Sequence, residues 1–109
     1  MYEQITIVGN IGSVEVVTSK AQEKYIRMSV GVNRGTGEKR TTTWYNVILY
    51  GEKVKNADSL MQYLTVGRQI LVNGRPQTRP YSKNDGTLAV DNTIHANALP
   101  VLLDKKTQN

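Results

Sequence analysis

Residues 42–50 read TTWYNVILY, and an earlier segment at residues 25–33 reads YIRMSVGVN. Both segments alternate apolar with polar positions and are rich in β-branched and aromatic residues, which is typical of strands with one buried face. In the later segment Trp44 and Tyr50 share one face by parity, and Tyr45 marks the opposite face. Two such strands, joined by a short glycine-containing hairpin loop, begin a β-sheet domain.

Three further strands are predicted from the same alternation. They lie at residues 5–17, 69–77 and 87–99. Gly9 and Gly12 interrupt the first of them, which predicts a kink or a β-bulge at this point. The fourth and fifth strands are separated by an Asn-Asp-Gly turn signal, so they are expected to form a hairpin.

Between the third and fourth strands the hydrophobic period lengthens to three and four residues, which predicts a helix. Its apolar face comprises Val54, Ala57, Met61 and Leu64. Gly67 is expected to end the helix, and Pro100 is expected to limit pairing after the fifth strand. This order predicts an all-β fold, a five-stranded OB-fold barrel with one α-helix between strands 3 and 4. A small α+β domain of another topology is the alternative.

Length and composition narrow the class of protein. The 109 residues suffice for one domain, predicted at residues 1–103 with a short polar tail at 104–109. Lys and Arg number 14 against 9 Asp and Glu, and the net charge of +5 favours a polyanionic partner. Cysteine is absent, which excludes disulfide scaffolds and thiolate zinc sites. No apolar run reaches about 20 residues and no secretory signal is visible, so we expect a cytoplasmic protein without a membrane span.

The sequence offers no candidate catalytic site. His95 is the one histidine, and a lone histidine in the polar phase of a strand is more often a surface or packing residue than a catalyst. The carboxylates are scattered, and no pair suggests general acid–base chemistry. No glycine-rich phosphate loop or serine-nucleophile motif is present. We therefore predict that the protein is not an enzyme and uses no metal and no cofactor.

Aromatic and basic residues cluster around the third strand and the two hairpins beside it. If Trp44 and Tyr50 face outward, they form a platform on which nucleobases stack; the alternative is that Trp44 is a core residue. Tyr81 is predicted at a polar hairpin tip, where an exposed aromatic favours binding. The candidate phosphate contacts are Arg34, Lys39, Arg40, Arg75, Arg79 and Lys83. This combination indicates contact with a nucleic acid.

Over roughly residues 4–103 the chain resembles the bacterial and phage-type single-stranded DNA-binding proteins. The segments that carry the resemblance are ITIVGNIG at 5–12, TWYNVILYG at 43–51, YLTVGR at 63–68, VNGR at 72–75 and TRPYSKNDG at 78–86. The resemblance implies an OB barrel in a homotetramer that binds single-stranded DNA. It also implies stacking of bases on Trp44, Tyr50 and Tyr81. Where the family often has another aromatic, this chain has Asn33 and Arg34, so one stacking position is expected to be missing.

The expected function is sequence-nonspecific binding that protects single-stranded DNA in replication, recombination or repair, at the nucleoid. The alternative is a primosomal-type OB-fold adaptor of replication restart that mainly binds proteins. Family members commonly end in an acidic tip that recruits replication or repair enzymes, whereas Asp104 here precedes Lys105 and Lys106. Recruitment by that route is therefore not expected. The first strand and the Tyr45 face are expected to supply apolar surface for a homotetramer or, alternatively, a homodimer.

Overall fold

The computed structural model describes residues 3–55 and 57–103. The predicted tail at 104–109 lies outside the described residues. The strands are β1 (Ile5–Thr18), β2 (Lys24–Arg34), β3 (Thr41–Leu49), β4 (Gln69–Ser82), β5 (Leu88–Ala96) and β6 (Val101–Leu103). Short 3-10 helices span Gly37–Lys39 and Gly51–Val54, and helix α1 spans Ala57–Met61.

Five of these strands close into a barrel in the order β1-β2-β3-β5-β4, with β4 returning to β1. The β3–β5 pairing is parallel, and every other pairing recorded among the described strands is antiparallel. This is the OB-fold arrangement, so the predicted fold class is confirmed.

Strand β1 closes the barrel because it bends at a bulge. Its first half pairs with β4, from Ile5 opposite Gly74 onward, and its second half pairs with β2. The register shifts between Ile11 and Ser13, at the predicted interruption around Gly12. An extra residue in one strand locally increases bend and twist, which lets a single strand serve two neighbours.

The barrel interior is lined by side chains of alternate positions. The largest fully buried ones are Ile11, Ile26, Met28, Val30, Val47, Leu49, Ile70, Val72 and Ile94. Tyr45 is partly buried against this core. The Tyr45 face of β3 is therefore the inside of the barrel, and the expectation that it supplies surface for self-association is wrong.

The helical segment is shorter than its apolar pattern predicts. Only Ala57–Met61 is α-helical, yet Val54 and Leu64 on either side are buried in the core as the spacing implied. After the helix, the N–H of Tyr63 donates to the carbonyl of Leu60 and closes a four-residue turn. Such a short helix is marginal by itself, so contact with the barrel rather than helix propensity holds this segment.

Strand β4 is longer than predicted. The predicted strand ends at residue 77, but β4 continues through Pro80 to Ser82. Beyond Gly74, β4 pairs with β5 and no longer with β1, so its other edge has no partner among the described strands. A proline is tolerated on such an open edge because its missing N–H leaves no ladder hydrogen bond unmade. Tyr81 consequently lies within a strand and not at a hairpin tip, which corrects the prediction.

Strand β6 was not predicted. Val101 pairs with Leu71 and Leu103 with Gln69. Strand β6 thus lies beside the first residues of β4, which precede the part that pairs with β5. The expectation that Pro100 limits further pairing is wrong, because this proline precedes the new strand and no ladder hydrogen bond depends on its missing N–H.

Candidate nucleic-acid interface

The outward-facing side chains of the neighbouring strands β2, β3, β5 and β4 form a shallow groove of about 380 Å³ on the barrel wall. That volume is at the lower end of the range for ligand sites, roughly 300–1,000 Å³. The lining residues are Arg27, Asn46, Ile48, Gln77, Arg79, Asp91, Thr93 and His95. Seven of these eight residues are polar or charged, so the groove offers hydrogen-bonding groups to a ligand beside the aliphatic side chain of Ile48.

Trp44 is 54% exposed, so it is not a core residue. Glycines lie beneath its indole ring. A Cβ atom built on Gly12 would lie 2.5 Å from Cζ3 of Trp44, and one built on Gly31 would lie 3.0 Å from the same atom. Because neither residue has a side chain, the indole packs onto strand backbone on one side and keeps open surface on the other. An aromatic ring in this position can accept a second ring by stacking.

Tyr50 follows the end of β3 and is 45% exposed. Its ring meets that of His95 edge-on, with centroids 6.1 Å apart and an interplanar angle of 81°. His95 Nε2 in turn lies 2.6 Å from Gln77 Oε1. This chain of contacts runs from β3 across β5 to β4 and restrains the exposed tyrosine.

The surroundings of His95 favour the uncharged form of its ring. Burial, together with the positive charge of Arg75, lowers its pKa below the ordinary value of 6.5. Its Nδ1 is buried and has no hydrogen-bond partner among the residues that the structure describes. Burying an unpaired N–H costs more free energy than burying an unpaired nitrogen lone pair. We therefore place the proton on Nε2, which donates to Gln77 Oε1. The histidine therefore adds no positive charge to the groove near pH 7.

Tyr81 is 48% exposed and lies opposite Ala89 in the β4–β5 hairpin. By parity it shares the outer face of β4 with Arg75 and Arg79. The hairpin thus carries an aromatic ring and two guanidinium groups on one side. Of the predicted site residues, Arg79 is the one that lines the groove itself.

The remaining candidate cations lie on the two hairpins. Arg34, Lys39 and Arg40 are exposed around the β2–β3 connection, and Lys83 is exposed at the turn after β4. Within residues 3–55 and 57–103 the recorded ion pair joins Arg27 to Glu15, and no candidate phosphate contact takes part in one. Their positive charge is therefore available to a polyanion.

Sequence reasoning did not identify the polar side chains inside the groove. Asn46 Nδ2 donates to Asp91 Oδ1 across β3 and β5 at 2.5 Å, and Gln77 holds His95. The available signal was parity, because a polar residue on the outer face of a central strand must lie on this wall. Parity does not reveal which strand is the neighbour, so the pairs themselves were not predictable.

Other site classes receive no support from the described part of the chain. No group of His, Asp or Glu residues there is arranged to hold a metal ion. None of the helices described is long and apolar enough to cross a membrane.

An OB barrel with exposed aromatic and basic residues on its outer wall defines a class of nucleic-acid-binding domains. The model of the Single-strand binding protein family matches residues 2–102. The chain belongs to this family, which is a non-enzymatic family of DNA-binding proteins. The prediction that the protein is not an enzyme is thereby confirmed.

Similar proteins agree with this membership. A single-stranded DNA-binding protein of Rickettsia felis is 27% identical over 97% of this chain and 75% of its own length. Single-stranded DNA-binding protein 2 of Streptococcus agalactiae is 31% identical over 80% of this chain and 67% of its own length. Among solved structures, the Plasmodium falciparum SSB complex with ssDNA has a TM-score of 0.70 at 21% identity, covering 95% of this chain and 96% of that one.

Proposed function

We propose that the chain binds single-stranded DNA across its outer wall, with bases stacked on Trp44, Tyr50 and Tyr81. The observation that carries this proposal is the exposure of all three rings, each close to half of its surface. They lie beside arginine and lysine side chains for which no ion pair is recorded within residues 3–55 and 57–103. Family membership supplies the class of ligand.

Stacking and charge explain why such binding depends little on base sequence. Every base has a π-face, and a stacked base contributes roughly 1–3 kcal/mol whatever its identity. Phosphates recur at every nucleotide and are neutralised by the cations of the two hairpins, with release of counterions. We propose contacts from the residues that the sequence singled out: Arg34, Lys39, Arg40, Arg75, Arg79 and Lys83.

Titration with a short oligothymidine tests the proposal directly. Trp44 is the single tryptophan, so intrinsic emission reports this one position. We expect strong quenching by the single strand and weak quenching by a duplex of the same length, whose bases are already stacked. Unchanged emission together with unchanged electrophoretic mobility at saturating single-stranded DNA would refute the proposal.

The family match and the relatives named above support single-stranded DNA binding and give no support to the alternative of a primosomal-type adaptor. In this role the protein would protect single strands during replication, recombination or repair, in the cytoplasm at the nucleoid. An adaptor would instead retain a protein partner while binding oligothymidine only weakly.

We further propose self-association through the outer face of β1, β4 and β6. Val8 is the register partner of Leu71, and Leu71 is that of Val101, so three apolar side chains are adjacent. Val8 and Val101 are both substantially exposed. The family resemblance favours a homotetramer over a homodimer. A monomeric mass by light scattering at micromolar concentration would exclude both assemblies.

A further inference from the structure

A carboxylate lies in the groove that the proposed function assigns to DNA. Asp91 is partly buried on the outer face of β5, and its Oδ1 accepts a hydrogen bond from Asn46 Nδ2 on β3. A negative charge repels phosphates, so it opposes the attraction that the surrounding cations provide. Its position is therefore better suited to the base than to the backbone of a bound strand.

The Asn46–Asp91 pair leaves acceptor atoms available. Among the described residues no donor is recorded for Asp91 Oδ2, and the neighbouring Arg79 forms no ion pair with it although the two are register partners on β4 and β5. Because the Asn46 amide nitrogen points at Asp91, its carbonyl oxygen Oδ1 is directed away from this contact as a further acceptor. Both residues line the groove.

We propose that this pair binds the edge of one nucleobase and that Asp91 selects bases with N–H donors, guanine above all, over thymine. The inference rests on the proposed function and adds a preference at one nucleotide to binding that is otherwise base-independent. Guanine presents N1–H and the N2 amino group side by side, and a carboxylate accepts both. Thymine presents one N3–H between two carbonyl oxygens, which repel a carboxylate.

Three oligonucleotides that differ in one base test the inference. They are a short oligothymidine and the same strand with a central guanine or hypoxanthine, the latter lacking only the amino group of guanine. With tryptophan quenching as readout, we expect the guanine strand to bind about fivefold or more tightly than oligothymidine, with the hypoxanthine strand between them. Asp91→Asn should reduce all these ratios to within about twofold.

Asp85→Asn is the matched control. Asp85 lies in the turn of the β4–β5 hairpin, outside the groove-lining residues, and its carboxylate accepts hydrogen bonds from Thr87. This variant loses the same charge from the same hairpin, so a general electrostatic change appears in both variants. The guanine preference should persist in Asp85→Asn and disappear only in Asp91→Asn.

The outcomes separate this inference from the function on which it rests. Equal binding of all three strands by the unsubstituted protein would overturn the inference and leave the proposed function intact. A guanine preference that survives Asp91→Asn would also overturn it, and would reduce Asp91 to a structural link between β3 and β5. Failure to bind any of the strands would overturn the proposed function and the inference together.

Discussion

The indole of Trp44 packs against the backbone of Gly12, across the bulge that bends β1. A Cβ atom on Gly12 would lie 2.5 Å from Cζ3 and 2.9 Å from Cη2 of Trp44, closer than real Cβ contacts allow. Gly31 on β2 forms the other part of the backbone surface under the ring. The orientation of the exposed ring thus depends on the glycines at these two positions of β1 and β2, where any side chain would collide with the indole.

Gly12→Ala should displace Trp44 and weaken DNA binding by up to roughly 1–3 kcal/mol, the contribution of one stacked base. Its effect on the fold should be smaller, because the atoms that must move are at the end of a half-exposed side chain. Affinity measured in a double-mutant cycle with Trp44→Ala isolates the cause. If the two losses simply add, the glycine does not act through the tryptophan.

Trp44→Ala should itself weaken binding of oligothymidine by roughly 1–3 kcal/mol with little change in thermal stability, since the ring lies outside the core. Tyr63→Ala is the matched control, because Tyr63 is similarly exposed but lies in the segment after α1 and not on a strand of the barrel wall. Binding is measured by electrophoretic mobility, which does not need the tryptophan. An equal loss in both variants would contradict the assigned platform.

The affinity for single-stranded DNA should fall as salt rises, by a log–log slope of about −0.7 for each phosphate neutralised. Arg79→Gln should flatten this slope by about 0.7, because the guanidinium lines the groove and forms no recorded ion pair. Lys55→Gln, which removes an exposed charge near α1, should leave the slope unchanged. If the salt slope is the same in Arg79→Gln as in the unsubstituted protein, this residue does not contact phosphate.

His95 should make the free energy of unfolding depend on pH. Its pKa is lowered in the folded state, so the unfolded chain binds the proton more tightly, and stability is lost as pH falls through about 6.5 towards the lower folded value. Thermal unfolding of His95→Gln should show a smaller decline between about pH 7.5 and 5. Asp85 does not interfere, since Thr87 hydrogen bonds lower its pKa below 3.8. Identical profiles for both proteins would contradict the assignment.

Val8→Asp should dissociate the proposed assembly, because it places a charge within the apolar face of β1, β4 and β6, next to Leu71. Val66→Asp introduces the same charge at an even more exposed valine in the turn before β4, and should leave the assembly intact. Light scattering distinguishes the two results. A mass that does not change in Val8→Asp would place the contact between subunits elsewhere.

The sequence by itself determined where the five barrel strands lie and which face of β2 and of β3 is buried. The alternation over residues 42–50 separated exposed Trp44 from buried Val47 and Leu49, and the same pattern identified the core face of β2. Such information is local, because successive side chains of a strand point to opposite faces whatever the neighbours are. The order of strands and helix predicted the closed barrel, and the family resemblance supported the stacking role of Trp44, Tyr50 and Tyr81.

Only the tertiary structure decided what each strand faces. The extent of β4 depended on which of its edges has a partner, because Pro76 and Pro80 fit a strand whose other edge is open. The Asn46–Asp91 hydrogen bond joins residues 45 positions apart, on strands that become neighbours through the parallel β3–β5 pairing. The glycine surface under Trp44 likewise forms only when β1 pairs with β2. These contacts arise from barrel closure, which fixes distances between remote residues that no sequence period encodes.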